Sequence, residues 1–422
     1  MAMNAAEHLR DLADFVVASP SSFHAAREVA ARLDAAGYAA QREEDAWSDI
    51  PGGHYVVRDG AIVAWWVPES LSENPGFRIV GAHTDSPSFK LKPEPTSERV
   101  GWQQAGMEVY GGPLLNSWLD REFGLAGRVV TRDGAERLVK TDAWLRIPQV
   151  APHLDRSVND NLHLDPQQHL MPVFGVGHPG ADLLDLVADA AGVTAADIAG
   201  HDLYAYVTQP PALFGPTEEF LASSRLDNLS SVHAGLTALL AADECEDVTV
   251  LACFDHEEVG SASRSGAGGP LLEQVLQRTA GSLGLTGDAY HRMLARSSCI
   301  SADAGHAVHP NYVGLHDPDH RPVLNAGPLL KLNAKLRYTS DAVSSALWRR
   351  VCAEADVPTQ NFVSNNAVPC GSTIGPITAE RLGIVCVDVG VPLLSMHSAR
   401  EMCGALDPAW LADALAAYFA GA

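Results

Sequence analysis

Lysine is scarce in this chain. Lysine and arginine together number 29 among 422 residues, and only five are lysine, at positions 90, 92, 140, 331 and 335. Asp and Glu number 52, so the formal net charge is −23 with histidine neutral. A field of that sign repels nucleic acid and anionic lipid over most of a surface, which argues against both as partners. Long apolar runs are missing as well. Ala61–Val67 falls far short of the roughly 20 residues a bilayer span needs. Met1–Arg10 carries acid and base early and has no apolar core, so no secretory leader is expected. Cysteine forms no framework. The seven, at 245, 253, 299, 352, 370, 386 and 403, are odd in number, irregular in spacing and partly set in apolar runs. They read as free thiols of a reducing compartment, so a soluble cytoplasmic protein is expected.

What is present is ordinary globular material, 46% apolar and 19% charged. At roughly 100–200 residues per domain the length predicts two to three domains. Leu9, Leu12, Phe15 and Val16 recur at helical spacing over 7–18, and Ser22 caps a second helix that is expected to end at Gly37. Tyr55–Val57 and Ala61–Val67, split by Asp59-Gly60, read as a hairpin. From 94 to 212 short strand-like pieces alternate with Gly, Pro and Asn/Asp turns, and 156–169 is polar and reads as loop. From 213 helix and strand alternate again: Leu226–Ala242 is helical, Val248–Phe254 and Cys299–Ala302 read as buried parallel strands, and Pro408–Phe419 as a helix. The pattern predicts an α/β domain (1–93 and 213–422) interrupted by a β-rich domain (94–212).

In open α/β sheets, ligands bind beyond the carboxyl ends of strands. Four apolar runs end at metal-ligand residue types. Arg78–Gly81 leads to His83 and Asp85, Val248–Phe254 to Glu257 and Glu258, Cys299–Ala302 to Asp303, and Ile384–Val389 through a turn to His397. Asp227 opens a helix in Ser224-Arg225-Leu226-Asp227-Asn228. Imidazole mixed with carboxylate suits Zn2+, Co2+ or Mn2+. Two metals close together need a shared carboxylate, and a free one to take a proton from water. Adjacent Glu257 and Glu258 fit that division, and Asp85 could orient His83. Taken singly, each has an ordinary explanation: a turn aspartate, a solvated acid pair, an incidental histidine. Their agreement across several strand ends is what points to a metal site.

These residues carry a family resemblance. Gly81–Pro93 (GAHTDSPSFKLKP) resembles the first motif of the M18 metallopeptidases, the aspartyl aminopeptidase family. Further stretches agree in order: Trp118–Val129, Ser224–Leu229 (SRLDNL), Phe254–Ser261 (FDHEEVGS), Ser301–Pro310 (SADAGHAVHP), Pro369–Ile377 (PCGSTIGPI) and Met396–Met402 (MHSAREM). The resemblance implies a zinc-peptidase α/β/α domain with an inserted dimerisation domain, a homo-oligomer that is a dodecamer built from dimers, and removal of N-terminal Asp or Glu from peptides. It implies two Zn2+ per chain, with His83 and Asp303 on one, Glu258 and His397 on the other, and Asp227 between them. Glu257 would be the general base and Asp85 the support of His83. Lys331, in Gly327–Tyr338 with Lys335 and Arg337 nearby, would be a substrate-side lysine, although composition alone reads these as surface cations. His153 would be contributed to a neighbouring subunit's site. The chain departs from the family at one place: Asn365-Asn366-Ala367-Val368 stands where an Arg-x-Asp pattern is usual, so a charge pair is missing.

Other readings compete. A related dinuclear peptidase or deacylase with another residue preference would use the same ligands, and a non-catalytic assembly protein would keep the fold while losing the base. Gly175–Gly180 matches the dinucleotide pattern G-x-G-x-x-G, but Pro179 interrupts it and no βαβ unit surrounds it, so a loop is expected. Cys370 has no activating histidine in its local sequence, which argues against a cysteine nucleophile.

Overall fold

A computed structural model describes residues 4–47, 51–177, 180–241 and 245–422. The chain divides into two compact units. One comprises 1–85, 211–396 and 401–422, and the other 86–210 with 397–400.

The first unit is built on a nine-stranded sheet. In spatial order its strands are Ala39–Ala40, Gly52–Arg58, Ala61–Val67, Val248–Phe254, Phe77–His83, Ser298–Ala302, Val385–Gly390, Leu329–Leu332 and Gln360–Val363. The four strands from Val248–Phe254 to Val385–Gly390 are mutually parallel. Strand periodicity of two sends alternate side chains to two separate cores. Val80, Ala82, Leu251 and Ile300 face one core, with the helices Ala5–Ala18, Ser22–Ala35, Leu226–Leu240, Ala342–Glu354 and Asp407–Phe419. Phe77, Ile79, Val250 and Cys299 face the other, with Leu271–Ser282, Asp288–Ala295 and Ile374–Leu382. This is a three-layer α/β/α arrangement. A small five-stranded sheet in the same unit orders Ala212–Phe214, Phe220–Ser223, Glu401–Gly404, Pro392–Leu394 and Gly305–His306.

The second unit is a seven-stranded sheet in the order Ile198–Val207, Ser88–Arg99, Trp102–Tyr110, Val173–Val176, Leu145–Arg146, Glu122–Thr131 and Glu136–Lys140. Ile198–Val207 also pairs with Glu122–Thr131, which closes the sheet on itself and leaves fewer open edges. Phe89, Leu91, Phe123, Leu125 and Leu203 fill its interior.

Several boundaries differ from the sequence expectation. Residue 94 falls inside the strand Ser88–Arg99, so the division between units lies at 85/86. The β-rich segment also holds a helix, Leu183–Ala191. Asp182 caps its start and Gly192, at φ +68°, its end. The first helix begins at Ala5 because Asn4 and Glu7 form a capping box. The second ends at Ala35, and Gly37 lies beyond it at φ +84°. The Leu226 helix ends at Leu240, and Ala242 lies outside the described residues. Of the Gly175–Gly180 pattern, His178 and Pro179 also lie outside them, and Val173–Val176 is a strand. All seven cysteines are free, and all but Cys370 are buried. Among the described residues no helix is long and apolar enough to cross a membrane.

Candidate metal centre

The carboxyl ends of the central parallel strands of the first unit supply the site. His83 closes its strand opposite Phe254 in register. The strand Ser298–Ala302 runs on the other side, pairing Ser301 with Gly81, and delivers Asp303 one residue past its end. Asp227 sits in the first turn of the helix Leu226–Leu240. Its own backbone, at φ −81° and ψ 104°, is not helical, and Arg225 just before it is left-handed at φ 58°. His256 is left-handed too, at φ 63°, turning the chain sharply out of its strand into the short turn Glu257–Val259. Left-handed backbone costs a non-glycine residue about 1–2 kcal/mol, so both corners are held by their surroundings.

These elements bring five side chains together. His83 Nε2 lies 3.4 Å from Asp227 Oδ1 and 4.0 Å from Asp303 Oδ1. Each of two groupings, His83–Asp227–Asp303 and His83–Glu257–Glu258, offers ligand atoms within 4.8 Å of one another. The other imidazole nitrogen is spoken for: His83 Nδ1 donates to the Asp85 carbonyl at 3.0 Å, with an Asp85 carboxylate oxygen at 3.4 Å. That bond directs Nε2 toward the carboxylates, the tautomer a metal-bound imidazole needs. The Asp85 carboxylate is itself shared. Its two oxygens accept the backbone N–H groups of Glu257 at 3.0 Å and of Glu258 at 3.1 Å. One aspartate thus braces both the histidine and the acid pair.

The electrostatics fit a cation. Burial pushes the Glu257 carboxyl up to about 8, with Asp303, Asp85 and Asp227 adding to the rise against His83. Burial likewise pushes Asp303 up to about 6. Burial opposes charge on His83, which is 1% exposed, yet hydrogen bonds to Asp227 and Asp85 outweigh it and hold the imidazole well above its ordinary value. Acids crowded around one imidazole in a buried pocket retain protons for want of positive charge. A divalent ion supplies that charge, and the donor set is the imidazole–carboxylate mix that zinc accepts.

The other predicted residues lie as follows. Lys331, on the strand Leu329–Leu332, is 1% exposed. Its ammonium donates to the Ala304 carbonyl at 2.7 Å and stands 3.7 Å from Asp303 Oδ1. The surface-cation reading therefore fails for Lys331, although Lys335 and Arg337 are exposed. His397 belongs to the second unit, where Nδ1 donates to the Gly112 carbonyl at 3.0 Å, which fixes the ring's tautomer. His153 is exposed in the same unit. Asn365, in the departing segment, donates its amide to the carbonyls of Gly314 and His316 at 3.3 and 3.2 Å. Residue-by-residue reading passed over two contributors. Asn228 Nδ2 donates to the Ala302 carbonyl at 2.9 Å, and the buried Glu401 accepts the Asp227 N–H at 3.0 Å. Both lie inside the motifs SRLDNL and MHSAREM, which was the available signal.

Comparisons with known proteins agree over nearly the whole chain. The family model described as aminopeptidase I zinc metalloprotease (M18) matches residues 15–419. A Streptomyces coelicolor protein named probable M18 family aminopeptidase 2 is 51% identical over 97% of both chains. Among solved structures, Ape4 in its complex with Nbr1 superposes with a TM-score of 0.94 at 34% identity, covering 100% of this chain and 88% of that one. The mApe1 dodecamer of S. cerevisiae superposes at 0.86 with 26% identity, covering 99% and 98%. The chain belongs to the M18 family of aminopeptidase I zinc metalloproteases.

Proposed function

We propose that this M18 aminopeptidase is a dinuclear enzyme that removes N-terminal acidic residues from peptides, with Glu257 as its general base. The observation that carries the reading is the convergence of His83, Asp227, Asp303, Glu257 and Glu258 at the strand ends. In the proposed assignment His83 and Asp303 hold one zinc, Glu258 and His397 the other, and Asp227 is shared. Bound zinc supplies Lewis acidity, polarising the scissile carbonyl and making water a nucleophile near neutral pH. Glu257 takes the proton from the attacking water and passes it to the departing amine nitrogen. Asp85 keeps Glu257 in place through its backbone N–H.

Acid selectivity requires a cation beside the substrate's first side chain, and Lys331 is the buried ammonium available next to Asp303. The yeast relative that forms a dodecamer supports a homo-oligomeric assembly of the same kind. The exposed His153 is available to a neighbouring subunit there. Free cysteines throughout suit a reducing cytoplasm.

The test is one assay series. Wild type and Glu257→Gln are given substrates with N-terminal Asp, Glu, Leu or Ala, and zinc is counted by mass spectrometry. Asp or Glu should be released fastest by the wild type. Glu257→Gln should lose about 10²–10⁴-fold in turnover while keeping about two zinc ions per chain. Faster release of Leu or Ala would overturn the selectivity and implicate the Asn365–Val368 segment. An active Glu257→Gln enzyme would overturn the base.

A further inference from the structure

Glu401 places a carboxyl group where charge is expensive. It opens the strand Glu401–Gly404, opposite Ser223 in register, and is 2% exposed. Removing a carboxylate from water is costly unless its partners compensate. Its Oε2 accepts the Asp227 N–H at 3.0 Å. That N–H belongs to the first turn of a helix, where backbone donors have no partner within the helix and must find one elsewhere. A neutral acceptor would suffice for that purpose. An ionised carboxylate would make the bond charge-assisted, and so stronger than a neutral acceptor's.

The bond is made to the residue that needs it. Asp227 lies at the point where two sets of neighbours meet: its carboxylate faces His83, and its peptide nitrogen faces Glu401. On its other side Asn228 is tied to the Ala302 carbonyl, one residue before Asp303. The backbone of Asp227 is thus clamped on both flanks, and a side chain with two rotatable bonds then has few directions left to point. We propose that Glu401 is a positioning residue for the metal centre. By fixing the peptide unit in front of Asp227, it holds the Asp227 carboxylate in its ligating direction and so raises zinc affinity. The inference rests on the reading of Asp227 as a ligand.

The test measures zinc affinity by competition with a chromogenic chelator, alongside thermal melting of the metal-free protein, for Glu401→Ala, Glu401→Gln and Glu401→Asp. Glu401→Ala should weaken zinc binding by about 10- to 100-fold, as loss of a group behind a ligand typically does. Its metal-free melting temperature should change little by comparison. Glu401→Gln keeps a carbonyl acceptor of the same reach without the charge, and its zinc affinity should lie between those of Glu401→Ala and the wild type. Wild-type affinity in Glu401→Ala overturns the proposal, as does a loss no larger than the drop in metal-free stability accounts for. Should Glu401→Ala not fold, Glu401→Asp serves in its place, since it keeps the charge but is one methylene short. Weakened zinc binding is expected there, and unchanged binding overturns the proposal. Asp227→Asn is the control for the underlying reading. If it binds zinc as tightly as the wild type, the ligand assignment fails, whatever the Glu401 variants do.

Discussion

Asp85 shows how much one side chain can organise. Both carboxylate oxygens are committed to consecutive backbone N–H groups, those of Glu257 and Glu258, and its own carbonyl orients His83. Asp85→Asn is nearly isosteric, but one of its two side-chain termini becomes an NH2 group. Whichever way the amide turns, a donor faces a backbone donor, and a buried bond to a charged acceptor, of the order of 1.5–3 kcal/mol, is lost. We therefore expect kcat to fall about 10- to 100-fold with the fold intact. Zinc content and kcat measured on the same preparation check this. Unaltered kcat would mean that the acid pair holds its place without Asp85. Sequence spacing exposed only the local half of this role. Asp85 stands two residues from His83 and so suggests itself as support, whereas its bonds to Glu257 and Glu258 join positions 172 and 173 residues away. Glu401 was harder to read for the same reason. Its partner Asp227 is 174 residues distant, and a single acid in an acidic chain carries no pattern of its own.

The strands that build the site were legible because a buried parallel strand must be apolar along its whole length, and Val248–Phe254 is buried at every residue. The return of 397–400 to the second unit was not legible, since four residues carry no period. One contact between elements of the main sheet bears directly on the site. A Cβ at Gly390 would overlap the Asp303 carbonyl oxygen, because the end of Val385–Gly390 runs against the backbone that carries Asp303. Asp303 N–H donates to the Val389 carbonyl at 2.9 Å, which locks that approach. Backbone cannot move aside as a side-chain tip can. Gly390→Ala should therefore displace the Asp303 segment, costing about 1–3 kcal/mol of stability as overpacking does, and lower zinc affinity with it. Calorimetry and chelator competition would show both. Wild-type zinc binding in Gly390→Ala would mean that this close approach does not set the metal affinity.

At the scale of the whole molecule, acid dominates, and the candidate metal centre gathers several of those acids in one buried place. A second titrating cluster ties the chain's N-terminal helices to its body. His233, on the helix Leu226–Leu240, holds Asp11 through Nε2 at 2.7 Å, and Arg32 holds the same carboxylate oxygen at 2.8 Å. His8 stands edge-on to the His233 ring with centroids 4.6 Å apart. The hydrogen bond from His233 keeps Asp11 well below the usual carboxylate range. Burial lowers His8 to about 3, with the neighbouring His233 adding to the effect, and burial also lowers His233 despite its bond to Asp11. Both histidines therefore bind protons less readily in the folded protein than in the unfolded chain, whose ordinary histidine pKa is about 6.5. Where the unfolded state binds more protons, stability rises with pH, so acidification from about 6.5 downward must weaken the fold, by about 1.4 kcal/mol per pH unit for each such proton. For His8 the window closes near its folded value of about 3. His8→Leu removes one titrating group while keeping an apolar side chain in its place. Its unfolding free energy, from denaturant melts at pH 5 to 7.5, should follow the wild type's above pH 7. Below 6.5 it should decline less steeply, so that the variant gains on the wild type as pH falls. Parallel curves across that range would show that His8 titrates alike in both states, and that its burial carries no such cost.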